Sequence, residues 1–111
     1  MNWNKLQDAS QLDAIRRESA EGPVMIFKHS TRCSISAMAL SRLERSWNEE
    51  AGIRPYYLDL IANRALSNQI ASEFGVEHQS PQVLLIQNGE CIYDASHMSI
   101  SFDSLKGQVT V

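Results

Sequence analysis

The stretch VMIFKHSTRCSISAM, residues 24–38, decides the fold of this chain. Residues 24–27 are a continuous apolar run of strand length, which is typical of a strand buried on both faces of a sheet. A polar turn, residues 28–32, follows. From Cys33 onward the apolar residues recur at helical spacing, which predicts a helix with one apolar face. The residues of that face are Ile35, Ala39, Leu43 and Trp47, with Met38 beside them, and Gly52 is the expected stop.

The segments on either side continue the alternation of helices and strands. Before the central strand, capping residues at 8–11 predict a helix that directs Leu12 and Ile15 inward. After the Cys33 helix we expect a second strand at 56–60. Pro55 precedes it and favours an edge position, because proline cannot donate to a ladder.

The second half predicts a helix, two strands and a short helix. Leu66, Ile70 and Phe74 repeat every four residues, between a candidate cap at Asn63 and a stop at Gly75. Residues 83–86 form another buried strand. Asn88-Gly89 is a strong hairpin signal and should fold residues 90–94 back antiparallel. A short helix near residues 101–106 is expected to close the chain.

This order predicts an α/β fold in one domain over residues 1–111. The first two predicted strands are joined by a helix and should be parallel, with a right-handed crossover. The closing hairpin is antiparallel. We therefore expect a four-stranded mixed sheet flanked by helices on both faces.

Composition narrows the function classes. A net charge of −3 and a pI near 5.5 argue against a nucleic-acid partner. No apolar segment is long enough to span a membrane, and the N-terminus has no signal-like apolar core, so we expect a cytoplasmic protein without a membrane partner. Two cysteines, Cys33 and Cys91, are too few for a disulfide scaffold or a zinc site made of cysteines.

Cys33 is the candidate catalytic residue. A thiol in the first turn of a helix faces unpaired backbone N–H groups and the positive end of the helix dipole. Both favour the thiolate, which is the nucleophile. Lys28, His29 and Arg32 add positive charge nearby. The alternative is that Cys33 is a buried, inert structural cysteine.

Ser80-Pro81 strengthens the catalytic interpretation. It directly precedes a buried strand, and X-Pro bonds adopt the cis form at modest cost. In the expected sheet, the end of the first strand lies beside the start of the third, which places Pro81 against Cys33. The Ser80 backbone would then be exposed to pair with the main chain of a substrate. The alternative is a trans proline that merely opens the strand.

Two runs together resemble a known family. Residues 27–36 (FKHSTRCSIS) and 76–82 (VEHQSPQ), with Ser96-His97 and Ile100-Ser101 after the last strand, are similar to the YtxJ-type, or monothiol bacilliredoxin, proteins. The resemblance implies a thioredoxin-like fold and removal of bacillithiol from mixed disulfides on other proteins. The family pattern is usually Cys-Pro-Ile-Ser, and Ser34 stands here in place of the proline.

One thiol is enough for such chemistry. Where a dithiol thioredoxin-like protein has its second cysteine, this chain has Ser36, whose hydroxyl can hydrogen-bond the Cys33 thiolate but cannot form a disulfide. Cys33 would take the small thiol from the substrate and carry it as a transient adduct, with no resident cofactor. Cys91 follows the hairpin at the opposite end of the sheet, roughly 13 Å or more away along the strand, so we do not expect it to resolve the adduct.

The remaining candidates surround Cys33. Arg32, Ser34, Ser36, Lys28 and His29 are expected to support the thiolate. The expected substrate-binding residues are Thr31, His78, Ser80, Pro81, Ser96 and His97. The three histidines lie in loops at the same predicted end of the sheet, so they are candidates to cluster near Cys33. A zinc site from them is a minor alternative, and we expect no metal. Ser96, His97 and Ser99 precede the last helix, whose N-terminus could accept a carboxylate of the small thiol.

Two other function classes stay open. Some monothiol glutaredoxins carry iron–sulfur clusters, but they rely on a glycine after the cysteine, where this chain has Ser34. A thioredoxin-like scaffold also serves as a non-catalytic interaction module, since fold alone does not determine function. The expected partners of the leading hypothesis are S-thiolated proteins and a low-molecular-weight thiol of the bacillithiol type, with glutathione or coenzyme A as alternatives for the small thiol.

Overall fold

The structure, a computed structural model, describes residues 1–109. Helices and strands alternate along most of the chain, as the sequence predicts. The helices are α1 Ser10–Ser19, α2 Ser34–Ser46, α3 Arg64–Phe74 and α4 Phe102–Gln108. The strands are β1 Asn4–Lys5, β2 Val24–His29, β3 Arg54–Asp59, β4 Gln82–Gln87 and β5 Glu90–Ser96. Short 3₁₀ turns occupy Glu49–Ala51 and His97–Ser99.

The strands within residues 1–109 form one mixed sheet in the order β1-β3-β2-β4-β5. The parallel pairing of β2 with β3 and the antiparallel pairing of β4 with β5 confirm the predicted topology. Asn88 and Gly89 have φ of 54° and 78° at the hairpin, the left-handed backbone that a tight hairpin turn requires. The predicted α/β class is therefore confirmed.

The predicted strand count of four was wrong by one. The additional strand, β1, is two residues long and has no apolar alternation that would reveal it. It pairs with β3 at Tyr56 and Tyr57, so β3 is not the edge strand that Pro55 suggested. Pro55 lies one residue before the β1–β3 pairing begins, so β1 loses no ladder hydrogen bond to a residue without an N–H.

Two apolar layers cover the sheet, one on each face. Alternate strand residues face opposite sides, so Ile26 and Leu84 pack towards α1 and α3 whereas Phe27 and Leu85 pack towards α2 and α4. All four are fully buried. Burying a side chain of this size stabilises a fold by about 1.5–3 kcal/mol, so these layers hold the ends of the strands in place.

Helix α2 differs from the predicted pattern. Its buried residues are Ser36, Ala39 and Leu43, whereas Ile35 and Met38 are 43% and 55% exposed. The helix also ends at Ser46 rather than near Gly52, which instead closes the Glu49–Ala51 turn. Apolar spacing correctly placed Ala39 and Leu43 on the buried face but wrongly placed Ile35 there. It also missed Ser36, a polar residue that is tolerated at a buried position because its hydroxyl is hydrogen-bonded to the turn.

The register places two loops at one end of the sheet. Lys28, near the end of β2, pairs with Gln82, the first residue of β4. The turn from β2 into α2 and the segment that ends at Pro81 therefore meet at this end. No helix within residues 1–109 is long and apolar enough to cross a membrane.

Candidate functional site

Cys33 occupies the N-cap position of α2. Its backbone is extended (φ −112°, ψ 120°), and its side chain makes no capping hydrogen bond. The thiol is half-buried and not part of a disulfide. Its amide donates to the Ser30 carbonyl oxygen at 3.1 Å, and its own carbonyl accepts from Ala37. The turn therefore fixes the backbone of Cys33 and leaves its sulfur without a hydrogen-bond partner among residues 1–109.

Ser36 is fully buried and bonds to the turn rather than to Cys33. Its Oγ lies 2.6 Å from Nδ1 of His29 and accepts a hydrogen bond from the Ser30 amide at 3.0 Å. The predicted hydrogen bond from this hydroxyl to the Cys33 sulfur is absent within residues 1–109. Ser36 therefore supports the site by holding the turn, because both of its contacts lie in the segment that leads to Cys33.

His29 is buried on the face of the sheet that α2 covers. Its ring lies 6.0 Å from Phe27 and 5.5 Å from Tyr57, measured between centroids. Burial lowers the pKa of His29, and the carboxylates of Asp59 and Glu44 oppose that shift. The imidazole is therefore favoured in its neutral form by its surroundings and is anchored by Ser36.

Lys28 lies on the other face of the sheet. Its side chain is fully buried, and its Nζ donates to the Ser67 carbonyl oxygen at 3.1 Å and lies 3.3 Å from Nδ1 of His78. Burial lowers the pKa of Lys28 to about 8. The ammonium thus contacts α3 and the loop before β4, and not the α2 face where Ser36 and His29 lie. This placement does not match the expected role of Lys28 in thiolate support.

The buried side chain of Gln82 orders the loop before β4. The Ser80–Pro81 peptide bond is cis. Gln82 is 1% exposed, and its side-chain amide donates to the Glu77 carbonyl oxygen at 3.0 Å and accepts from the Gln79 amide at 3.4 Å. Those two bonds close the loop on itself, which orders the backbone that leads to Pro81.

A backbone hydrogen bond joins this loop to the segment after β5. The amide of His97 donates to the Pro81 carbonyl oxygen at 3.1 Å. His97 itself is exposed and has a φ of 54°, a left-handed conformation that is uncommon for residues other than glycine. Ser96 pairs with Gln82 across β4 and β5. The candidate residues 80, 81, 96 and 97 are therefore brought together.

The remaining candidates are surface residues around the turn. Thr31, Arg32 and Ser34 are exposed beside Cys33. Ser80 is half-buried, and its Oγ is buried without a hydrogen-bond partner within the described chain. The surface next to the thiol is therefore polar.

The predicted histidine cluster does not form. His29 faces α2, His78 lies against Lys28 and Ser67 on the α3 side, and His97 is exposed after β5. Within residues 1–109 no group of three or more His, Cys, Asp or Glu side chains is arranged to hold a metal ion. The three imidazoles therefore have separate surroundings and form no cluster.

Cys91 lies at the far end of the sheet from Cys33. It is opposite Ile86, which pairs with Val24 at the start of β2. Its Sγ donates to the Tyr93 carbonyl oxygen at 3.3 Å, and burial raises the pKa of its thiol. This placement agrees with the prediction that Cys91 does not resolve an adduct on Cys33.

Sequence reasoning missed Ser67 and Gln82 at this site. Ser67 is fully buried on α3 and contacts both Lys28 and His78, from which it is 39 and 11 residues away. Gln82 lies in the run 76–82, but the sequence predicts no role for it. A buried glutamine at a strand start carries no sequence signal of its own, because its partners are backbone atoms.

The sheet order, the cysteine at the start of α2 and the cis Pro81 at the same end of the sheet are those of a thioredoxin-like protein. A solved structure described as a proposed oxidoreductase with a thioredoxin fold is 32% identical to this chain, with a TM-score of 0.83 over 96% of this chain and 92% of that one. Thioredoxin from Malassezia sympodialis is 19% identical, with a TM-score of 0.71 over 96% and 86% of the two chains. Thioredoxin from Fasciola hepatica is 14% identical, with a TM-score of 0.73 over 95% and 98%.

The chain belongs to the monothiol bacilliredoxin family. The model of that family, described as monothiol bacilliredoxin BrxC, matches residues 4–105. Membership and fold together support a thiol redox function, and the resemblance read from the sequence motifs is confirmed.

Proposed function

We propose that this protein is a monothiol thiol–disulfide oxidoreductase that removes a low-molecular-weight thiol of the bacillithiol type from S-thiolated proteins through Cys33. The observation that carries the proposal is the pairing of a free, half-buried thiol at a helix N-cap with Ser36 three residues later. The first turn of a helix presents unpaired backbone N–H groups to a side chain at this position. Ser36 supplies no second sulfur and is committed to the turn.

The exchange balances with one cysteine. The Cys33 thiolate attacks the small-thiol sulfur of the mixed disulfide, and the substrate sulfur leaves with the bonding electron pair and takes a proton. The small thiol is then bound to Cys33 through a new disulfide. A second small-thiol thiolate attacks the adduct, restores Cys33 and leaves as a symmetric disulfide, which a separate reductase reduces.

The neighbouring residues are proposed to bind the substrate and to take no part in the redox step itself. Thr31, Arg32 and Ser34 are exposed beside the thiol and are proposed to contact the small thiol, with Arg32 suited to a carboxylate. The Ser80 and Pro81 backbone is proposed to pair with the substrate main chain, and Ser96 and His97 to border the same groove. No resident cofactor enters this scheme, and we propose that the protein acts in the cytoplasm.

A model mixed disulfide between a protein thiol and bacillithiol tests this proposal. Wild-type protein should release the free protein thiol and retain one small-thiol mass on Cys33. Cys33→Ser should abolish both, whereas Cys91→Ser, the matched control, should leave both unchanged. Full release by Cys33→Ser would overturn the proposal, and so would an adduct on Cys91. Running the same assay with glutathione and coenzyme A adducts determines which small thiol is preferred.

A further inference from the structure

Lys28 is the most unusual buried group in the described chain. Its side chain is 0% exposed, and it makes no ion pair with any carboxylate of residues 1–109. A lysine is almost never fully buried without an anionic partner, because the ammonium loses its hydration. The two groups that it contacts are a helix carbonyl oxygen and an imidazole nitrogen, both neutral acceptors.

The contact with His78 determines which imidazole nitrogen carries a proton. An ammonium group only donates hydrogen bonds. Because Nζ of Lys28 lies 3.3 Å from Nδ1 of His78, that nitrogen must accept and is therefore unprotonated. The neutral ring then carries its proton on Nε2. The hydroxyl of Ser67 also lies 3.3 Å from Nδ1, where it can donate only by sharing the single lone pair of that nitrogen with Lys28.

The positive charges around His78 also favour its neutral form. Its pKa is lowered by burial and by the positive charges of Lys28 on β2 and Arg64 on α3. Burial lowers the pKa of Lys28 to about 8, so most of it is still the ammonium at neutral pH. His78 is thus held neutral, while the Lys28 ammonium next to its Nδ1 remains a hydrogen-bond donor.

His78 is three residues before Pro81 and half-exposed, and its Nε2 has no hydrogen-bond partner within residues 1–109. We propose that Lys28 is a positioning residue that holds His78 as the neutral Nε2–H tautomer, so that this N–H donates to an oxygen acceptor of the bound mixed disulfide. This inference rests on the proposed function for its substrate, and it assigns Lys28 a role other than thiolate support.

The ¹⁵N chemical shifts of the His78 ring test the inference without any assay of activity. In the wild-type protein near neutral pH, Nδ1 should show the unprotonated shift and Nε2 the protonated one. Lys28→Met should give a mixture of tautomers, and the His78 titration midpoint should rise towards its usual value of about 6.5. Ser67→Ala, the matched control, removes a contact to the same nitrogen but leaves Lys28, so the tautomer should persist.

Exchange kinetics supply the second measurement. Lys28→Met and His78→Ala should each slow release by about two- to ten-fold, the effect of one hydrogen bond, and the double variant should be no slower than His78→Ala alone. A loss confined to glutathione adducts and absent from cysteamine adducts, which lack carboxylates, places the acceptor on the small thiol. An equal loss with both places it on the protein substrate.

Several results would overturn the inference. A wild-type His78 protonated on Nδ1 contradicts it even where Lys28→Met fails to fold. Unchanged tautomer and kinetics in a folded Lys28→Met protein also contradict it. A wild-type protein that shows the Nε2–H tautomer but performs no exchange would instead contradict the proposed function, so the two failures are distinguishable.

Discussion

The Oγ of Ser36 lies 2.6 Å from Nδ1 of His29, and both side chains are buried behind the turn that leads to Cys33. The same oxygen accepts from the Ser30 amide at 3.0 Å. One hydroxyl thus joins the first turn of α2 to the end of β2. Its position is the one where a dithiol protein of this class has its second sulfur, so this chain has a hydroxyl bonded to the turn in place of a second thiol.

Replacing Ser36 by alanine should destabilise the fold. The change leaves Nδ1 of His29 and the Ser30 amide without their partner in a buried setting, which costs about 1–3 kcal/mol. Urea unfolding followed by circular dichroism measures the loss. Ser41→Ala, at an exposed position of the same helix, is the control and should change the free energy of unfolding by less than about 0.5 kcal/mol. Equal effects of the two substitutions would contradict the role given to this hydroxyl.

Replacing Ser36 by cysteine should convert the chemistry to a dithiol type. Cα atoms three residues apart at a helix start are about 5 Å apart, within the range that a disulfide spans. Mild oxidation should give an internal Cys33 disulfide, seen as a loss of two hydrogens in the intact mass and a loss of both alkylation sites. The small-thiol adduct on Cys33 should then become short-lived. Persistence of the adduct at wild-type levels would show that the buried position is inaccessible to sulfur exchange.

The stability of the protein should rise between pH 8 and roughly pH 9.5. Burial lowers the pKa of Lys28 from 10.5 to about 8. In this interval the unfolded chain keeps a Lys28 proton that the native state has released, so Lys28 contributes about 2 kcal/mol in favour of the native state as the pH rises. The raised pKa of the Cys91 thiol offsets part of this gain. Above pH 10 the trend should reverse, because burial and Glu18 raise the pKa of Tyr56 to about 12.

Urea unfolding of the wild type and Lys28→Met at three pH values checks this prediction. The free energy of unfolding of the variant should lack this rise, since it lacks Lys28, and should fall with pH because burial raises the pKa of the Cys91 thiol. Parallel curves for the two proteins would contradict the placement of Lys28 as a buried ammonium.

The exposed apolar residues of α2 should matter for protein substrates and not for small ones. Ile35 and Met38 are 43% and 55% exposed in the two turns after Cys33, on the helix that carries the proposed reactive thiol. Ile35→Ser combined with Met38→Ser should raise the KM for an S-thiolated protein several-fold and leave exchange with a small disulfide unchanged. Ile92→Ser is the matched control, because Ile92 is 41% exposed on β5 near the hairpin end of the sheet. An equal effect of the control would point to general destabilisation.

Cys91 should react much more slowly than Cys33 with thiol reagents. Burial raises the pKa of the Cys91 thiol, and its hydrogen bond to the Tyr93 carbonyl oxygen holds it against the sheet. At neutral pH, brief alkylation of the native protein should add one label, located on Cys33 by peptide mapping. The urea-unfolded protein should take two labels. Rapid double labelling of the native state would show that Cys91 is accessible.

The element order was predictable because it depends on local patterns. The apolar run at 24–27, the helical spacing after Cys33 and the Asn88-Gly89 turn each act over a few residues, and each produced the expected element. β1 escaped detection because two residues cannot show a period. The outward direction of Ile35 was also missed, since a helix with apolar residues on several sides leaves its buried face undetermined until its neighbours are present.

The sequence by itself determined that Cys33 begins a helix after a buried strand, that Ser36 leaves it without a partner thiol, and which family the chain belongs to. Only the tertiary structure determined which residues Lys28 and His29 contact. They are adjacent in the chain, yet successive residues of a strand point to opposite faces. One therefore meets Ser67 and His78 beneath α3, and the other meets Ser36 beneath α2. Contacts between residues so far apart in the sequence exist only after the sheet and its helices are packed.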